Sequence, residues 1–239
     1  KYWDMYPNVR MPDNQFRPKG LPEEVKNSGE INAYSLAKLP DDKEFLRLVK
    51  TGYYACVSYV DQLFGQLMEA LDECGLKDNT IVVLLGDHGW SLGEHNFVGK
   101  HNLMEVATRV PLIIHVPGMK PGHTSSVVEL VDLYPTLCQL CDIPQPKKQL
   151  DGVSLVPILH DAKIRVKKQA YIQWEGGDDV IDWRYNYANW PKSNHKMLFD
   201  HQVDKQENHN CIIAEKYQKT RIELQKRLKK VKKFAFRNH

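Results

Sequence analysis

Apolar positions along the chain recur in two rhythms. From residue 42 to residue 75, Phe45, Val49, Tyr53, Cys56, Val60, Leu63, Leu67 and Leu71 step by three or four, the spacing of one long amphipathic helix with Gly75 as its C-cap. Residues 76–79 make a turn, and residues 80–85, apolar without a break from Ile81, predict a strand buried on both faces. A second apolar strand is expected over residues 110–116, closed by Pro117 and Gly118. A helix follows near residues 130–140, with Asp132 as N-cap and Pro135 in its first turn, then a Pro-rich loop and a short helix ending at Leu159. Helix and strand alternate, so the class is α/β.

Beyond about residue 165 the pattern shortens. Tyr171 to Trp174, Trp183 to Tyr187 and Lys196 to Asp200 read as aromatic strands, and Ile213, Tyr217, Leu224, Leu228 and Val231 mark a closing helix. The expected division is therefore residues 1–165, an α/β body, and residues 166–239, a small α+β subdomain with an antiparallel sheet. Residues 1–40, with Pro7, Pro12, Pro18, Pro22 and Pro40, read as a long irregular segment draped over a core.

Composition narrows the class. With 42% hydrophobic residues among 239 the chain can fill a real core, and its longest apolar runs are far below the roughly 18 residues of a membrane helix. The net charge of +3 hides an asymmetry, because residues 205–239 hold eleven Lys or Arg against three Glu. An amphipathic helix with a solvated basic face accounts for this; weak attraction to a polyanion is the alternative. Five cysteines exclude a dense disulfide framework, and Cys138 and Cys141 read as two small hydrophobes on one buried helix face rather than a redox or zinc pair.

The chemistry gathers where the first strand ends. Gly86, Asp87, His88, Gly89 and Trp90 leave its carboxyl edge, and Lys100 follows ten residues after Trp90. In open α/β sheets that edge is where ligands bind. An acid and an imidazole side by side are metal ligands, and a nearby ammonium can neutralise an oxyanion. Trp90 and His95 could line a sugar pocket or simply pack, and Asp87 could simply cap a turn. His195, His201 and His209 lack ligand spacing and read as surface residues.

These residues, together with Leu92, Gly93, Glu94 and His95, the run from Ala107 to Ile113, the run from Val131 to Leu137, the run from Asp151 to Leu155, and Leu198, Phe199 and Asp200, resemble the type I sulfatases of the alkaline phosphatase superfamily, most closely the iduronate-2-sulfatase-like branch. The resemblance implies part of an alkaline-phosphatase-like sandwich, a central sheet flanked by helices. It implies that Asp87 and His88 complete a Ca2+ site, although calcium prefers oxygen to the nitrogen of His88. It further implies that Lys100 binds a sulfate oxygen and steadies the leaving group, and that the substrate is a sulfated, glycosaminoglycan-like sugar, a uronate 2-O-sulfate among the candidates. No cysteine here has the Cys/Ser-x-Pro/Ala-x-Arg context of a formylglycine nucleophile. An amino-terminal segment of the same enzyme is then expected to supply it, and this chain alone to be inactive. The resemblance places such an enzyme in the periplasm, the lysosome or outside the cell. Two other readings stay open: a metal-dependent phosphoesterase of the same superfamily, and a non-catalytic carbohydrate-binding remnant. The resemblance would also supply a longer hairpin between Trp174 and Trp183 than residues 175–182 allow.

Overall fold

The computed structural model describes residues 1–26, 42–147 and 150–235, so the part of the irregular amino-terminal segment over residues 27–40 lies outside the described residues. The elements follow in the order α1 (Asp42–Glu73), β1 (Val82–Leu85), β2 (Ser91–Leu92), β3 (Val98–Gly99), α2 (Glu105–Thr108), β4 (Leu112–His115), α3 (Leu133–Leu140) and α4 (Val156–His160). Then come β5 (Ala170–Trp174), β6 (Gly177–Ile181), β7 (Tyr185–Trp190), β8 (His195–Asp200) and α5 (Gln218–Ala235). The chain divides into two compact units. One holds Lys1–Arg17, Lys26–Asn102 and Arg109–Gly118; the other holds Pro18–Val25, Leu103–Thr108 and Met119–His239. The boundary expected near residue 165 falls inside the second unit.

In the first unit, α1 ends as its glycine requires. Gly75 takes φ +67°, its N–H bonds the Asp72 carbonyl, and the Leu76 N–H reaches back to the Leu71 carbonyl. These crossed bonds satisfy carbonyls the helix would otherwise leave open. The helix meets the amino-terminal segment through Tyr54 and Ser58, where Tyr6 sets its ring 5.4 Å from Tyr54 and its hydroxyl 2.6 Å from Ser58 Oγ. The expected apolar stripe faces elsewhere: Tyr53, Val60, Leu63 and Leu67 are all exposed. The expectation for β1 needs the same correction. It pairs antiparallel with β4 in a two-stranded sheet, and neither strand is covered on both faces, with Leu85 and Ile113 exposed. The apolar run that read as a doubly buried strand is only half-buried along Val82–Leu84 among the described residues.

The second unit is built on a four-stranded antiparallel meander, β5-β6-β7-β8. One face carries Val180, Tyr187 and Leu198, which pack with Tyr217, Leu224 and Leu228 of the closing helix and its entry turn. Tyr217, Leu224 and Leu228 thus lie where helical spacing put them, whereas Ile213 precedes the helix and is exposed. Strand β6 was not legible from its residues. The turn before it, Glu175 and Gly176 with φ of 43° and 74°, is the two-residue type that lets adjacent strands pair without splaying. Residues 175–182 therefore suffice for a hairpin and a whole strand.

Two landmark runs prove to be scaffolding. Asp132 is fully buried and accepts from the Glu129 N–H (2.8 Å), the Val153 N–H (2.9 Å) and Lys167 Nζ (2.7 Å). Asp132 is itself helical, and the N-cap of this segment is Glu129, which forms a reciprocal capping box with it. Thr136 Oγ1 donates to the Asp132 carbonyl and accepts the Leu155 N–H at 2.8 Å, tying the 151–155 loop down. Gly152 lies so close that a Cβ there would stand 2.0 Å from the Val131 carbonyl oxygen. On α3, Cys138 is buried but Cys141, at the helix end, is exposed, so the two do not share one buried face.

Candidate functional site

Asp87, His88, Trp90, His95 and Lys100 all belong to the first unit. The β1–β4 ladder runs one bond further, from the Gly86 N–H to the Pro111 carbonyl at 3.1 Å, and releases the chain into the Asp87 loop. Gly86 fits because a side chain there would press on Pro111 and Val110 at 3.3–3.4 Å. Asp87 stands out into solvent at 84% side-chain exposure, while His88 is one-third exposed.

The local bonding orients both groups. Asp87 Oδ1 accepts the His88 N–H at 3.0 Å, and His88 Nδ1 lies 2.9 Å from the Gly89 carbonyl. A carbonyl can only accept, so Nδ1 donates to it, and in the neutral ring this leaves the Nε2 lone pair for a metal. Such a bond from the other ring nitrogen is how metal-ligating histidines are fixed. Nε2 lies 3.4 Å from Asp87 Oδ2. That separation suits two adjacent ligands of one ion held at about 2.3–2.6 Å. An oxygen and a borderline nitrogen can together hold a divalent cation, but they fill only part of its shell. Among the described residues no group of three or more His, Cys, Asp or Glu is assembled for a metal.

Trp90 carries the site onward. Its ring lies 6.2 Å from that of His88, and Lys100 Nζ sits 5.8 Å from its centroid, within cation–π range. Asp87, His88, Trp90 and Lys100 are thus consecutive neighbours, which sequence spacing alone only hinted. Lys100 is brought there by the β2–β3 hairpin, which pairs Ser91 with Gly99 and Leu92 with Val98.

His95 is placed differently from the others. It is 2% exposed, its N–H bonds the Asn14 carbonyl at 2.8 Å, and its ring packs edge-on to Phe97. It therefore lies inside the hairpin and not on an open pocket wall. Gly93, His95 and Asn96 all take positive φ, at 110°, 58° and 59°. Such backbone is costly for a non-glycine residue and persists where surroundings enforce it, as they commonly do at functional sites. Met11 and Pro12 lie against Gly93, and Arg17 lies over the Phe97 ring, so the amino-terminal segment supplies that enforcement.

A second polar cluster escaped the sequence reading. His201, expected at the surface, has a nearly buried side chain and lies 2.9 Å from Glu207 Oε1. Glu207 also accepts Asn186 Nδ2 at 2.6 Å and the Glu105 N–H at 2.7 Å. His195 and His209 are exposed, as expected, and face Glu24 and Asp204. Nothing in the spacing of these residues announces the cluster, because strand β7, the start of α2 and the loop after β8 bring it together.

Fold, strand-end acid and imidazole, and neighbouring lysine define a class, and comparison with known proteins names it. Residues 17–143 match the family model Sulfatase, and residues 93–234 match N-sulphoglucosamine sulphohydrolase, C-terminal. The chain belongs to the sulfatase family, with the alkaline-phosphatase-like fold of that family. Mouse iduronate 2-sulfatase is 32% identical over 187 residues, 62% of this chain and 34% of that protein. An arylsulfatase of Clostridium perfringens is 28% identical over 232 residues, 93% of this chain and 47% of that protein. A solved 2-O GAG sulfatase superposes with a TM-score of 0.75 at 26% identity, covering 95% of this chain and 53% of the other. The chain thus spans 34% and 47% of the two curated relatives.

Proposed function

We propose that this chain contributes half of the active site of a metal-dependent sulfatase that hydrolyses sulfate esters on a sulfated, glycosaminoglycan-like sugar, uronate 2-O-sulfates included. The observation that carries the reading is the convergence of Asp87 Oδ2 and His88 Nε2, 3.4 Å apart, with Lys100 over the Trp90 ring that neighbours His88. Asp87 and His88 would hold one divalent cation, proposed as Ca2+, whose charge would gather the sulfate oxygens and lower the cost of attack at sulfur. The Lys100 ammonium offsets charge that develops on the bridging oxygen as the alcohol departs. Trp90 orients that ammonium and offers the rest of its ring to a sugar face. His95 contributes to substrate binding from beneath, by anchoring the hairpin that carries Lys100.

The nucleophile, proposed as a formylglycine, and the remaining metal ligands come from an amino-terminal segment of the same enzyme. The relatives' greater length supports this, as do the exposed apolar residues Val60, Leu63 and Leu67 on α1 and Ile113 on β4, a surface such a segment would cover. The proposed setting is a periplasm, a lysosome or the exterior of the cell; among the described residues no helix is long and apolar enough to cross a membrane.

The test is release of inorganic sulfate from a 2-O-sulfated uronate disaccharide by the protein carrying the upstream segment. Asp87→Ala and Lys100→Ala should each lose about a hundredfold or more in turnover, the scale of one lost transition-state contact. Parent-level turnover in both variants would remove the site assignment.

A further inference from the structure

Helix α5 carries more positive charge than its fold uses. Three of its basic residues have structural work: Arg221 donates to the Ile212 carbonyl, Arg227 bridges Asp182 at 2.9 Å and Glu223, and Lys232 pairs with Asp178. Lys219, Lys226, Lys229 and Lys230 are exposed and make no ion pair among the described residues. At about 100° per residue, Lys219, Lys226 and Lys230 fall on one line, with Lys229 beside it. Leu224 and Leu228 point the other way, into the sheet. The stripe from Lys219 to Lys230 runs about 16 Å along the helix axis.

This arrangement works against the helix. Lys226 faces Lys229 and Lys230 three and four residues on, spacings at which like charges repel. Lys219 stands in a first turn that contains no acidic residue, where the positive end of the helix dipole disfavours a cation. The nearby acid Glu223 is already engaged by Arg227. A stripe of cations that the fold neither needs nor neutralises fits a linear polyanion laid along it. We infer that the exposed lysine face of α5 is a docking surface for the sulfated polysaccharide, binding chain segments other than the residue that carries the ester being cleaved.

This rests on the sulfate-ester reading above for the identity of the polyanion, and the experiment separates the two. In the full-length protein, Lys219, Lys226, Lys229 and Lys230 are replaced together by Gln, and binding is measured to a heparin dodecasaccharide, a heparin disaccharide and a single-stranded DNA of equal charge. The variant should bind the dodecasaccharide about tenfold or more weakly, with the slope of log affinity against log salt reduced by about three. Disaccharide binding should not change. Sulfate release from a small sulfated sugar should also be unchanged, because none of the four lysines belongs to the proposed site. Undiminished dodecasaccharide binding in the variant would overturn the inference, and so would tighter binding of the parent to DNA than to dodecasaccharide. If neither protein releases sulfate while the dodecasaccharide loss persists, the docking surface stands and the sulfatase reading falls.

Discussion

Asp179 is the side chain most at odds with its surroundings. It is fully buried on β6, and no side chain donates to either of its oxygens, which have only the weak approach of backbone amides. Burial first, and the negative charge of Glu207 second, hold its carboxyl well above the usual range; the backbone amides of Val180 and Tyr187 offset only part of this. Glu207 takes the donors instead, from Asn186, Glu105 and His201. Asp179 is therefore held toward its protonated form in the fold. Because its folded pKa lies above its unfolded one, its stabilising contribution is complete below the unfolded value, about 3.9, and is lost as pH rises through the folded value. Asp179→Asn, similar in shape and unable to ionise, should raise the melting temperature at pH 8 and flatten the alkaline limb of the stability profile. Melting from pH 4 to pH 9 checks this, and a variant with the parent's profile would contradict it. Asp200 works in the opposite sense. The bidentate Arg184 guanidinium, at 2.9 and 2.7 Å, with Tyr217 also donating, keeps its carboxyl below the usual range. Its contribution is present above the unfolded pKa and fades as pH falls through the folded one.

At the scale of elements, single backbone positions decide the geometry. Gly152 sits against the Val131 and Asp132 backbone, where no side chain fits. Gly152→Ala should cost several kcal/mol, on the order of the largest point-mutant effects, by lifting the 151–155 loop from Asp132 and Thr136. Denaturant melts would show it as a fall in midpoint, and an unchanged midpoint would contradict the packing described. Glu175 offers the converse case. Its φ of 43° crowds the Cβ of an L residue against the backbone, and Asn is the usual occupant of that turn position. Glu175→Asn should stabilise by about 0.5–1 kcal/mol.

These positions also explain what could be read from sequence. The 3–4 spacing of α1, its Gly75 stop and the Leu224–Leu228 seam were legible, because each is a local pattern that the helix repeats. Strand β6 was not, since Asp178 and Asp179 have little strand preference, and Asp178 is held by Tyr171 on the neighbouring strand and by Lys232 of α5. For the site, the strand-end acid, imidazole and lysine were legible as neighbours. The burial of His95 was not, because it depends on a contact with Asn14 more than eighty residues earlier.

At the scale of the whole molecule, the organisation is a strand-end site in one unit and a sheet clamped by a basic helix in the other. The first unit leaves apolar strand and helix faces exposed, and Asp87 and His88 converge without a third His, Cys, Asp or Glu assembled beside them among the described residues. Both features follow if an upstream segment completes the sheet and the site together. The measurement that tests this most directly is the divalent-ion content of the protein with its upstream segment, by elemental mass spectrometry, beside Asp87→Ala and His88→Ala. One tightly held ion per chain in the parent, lost or weakened by tenfold or more in either variant, is the expected result. A parent that binds no ion, or variants that retain it at full occupancy and affinity, would contradict the assignment of Asp87 and His88.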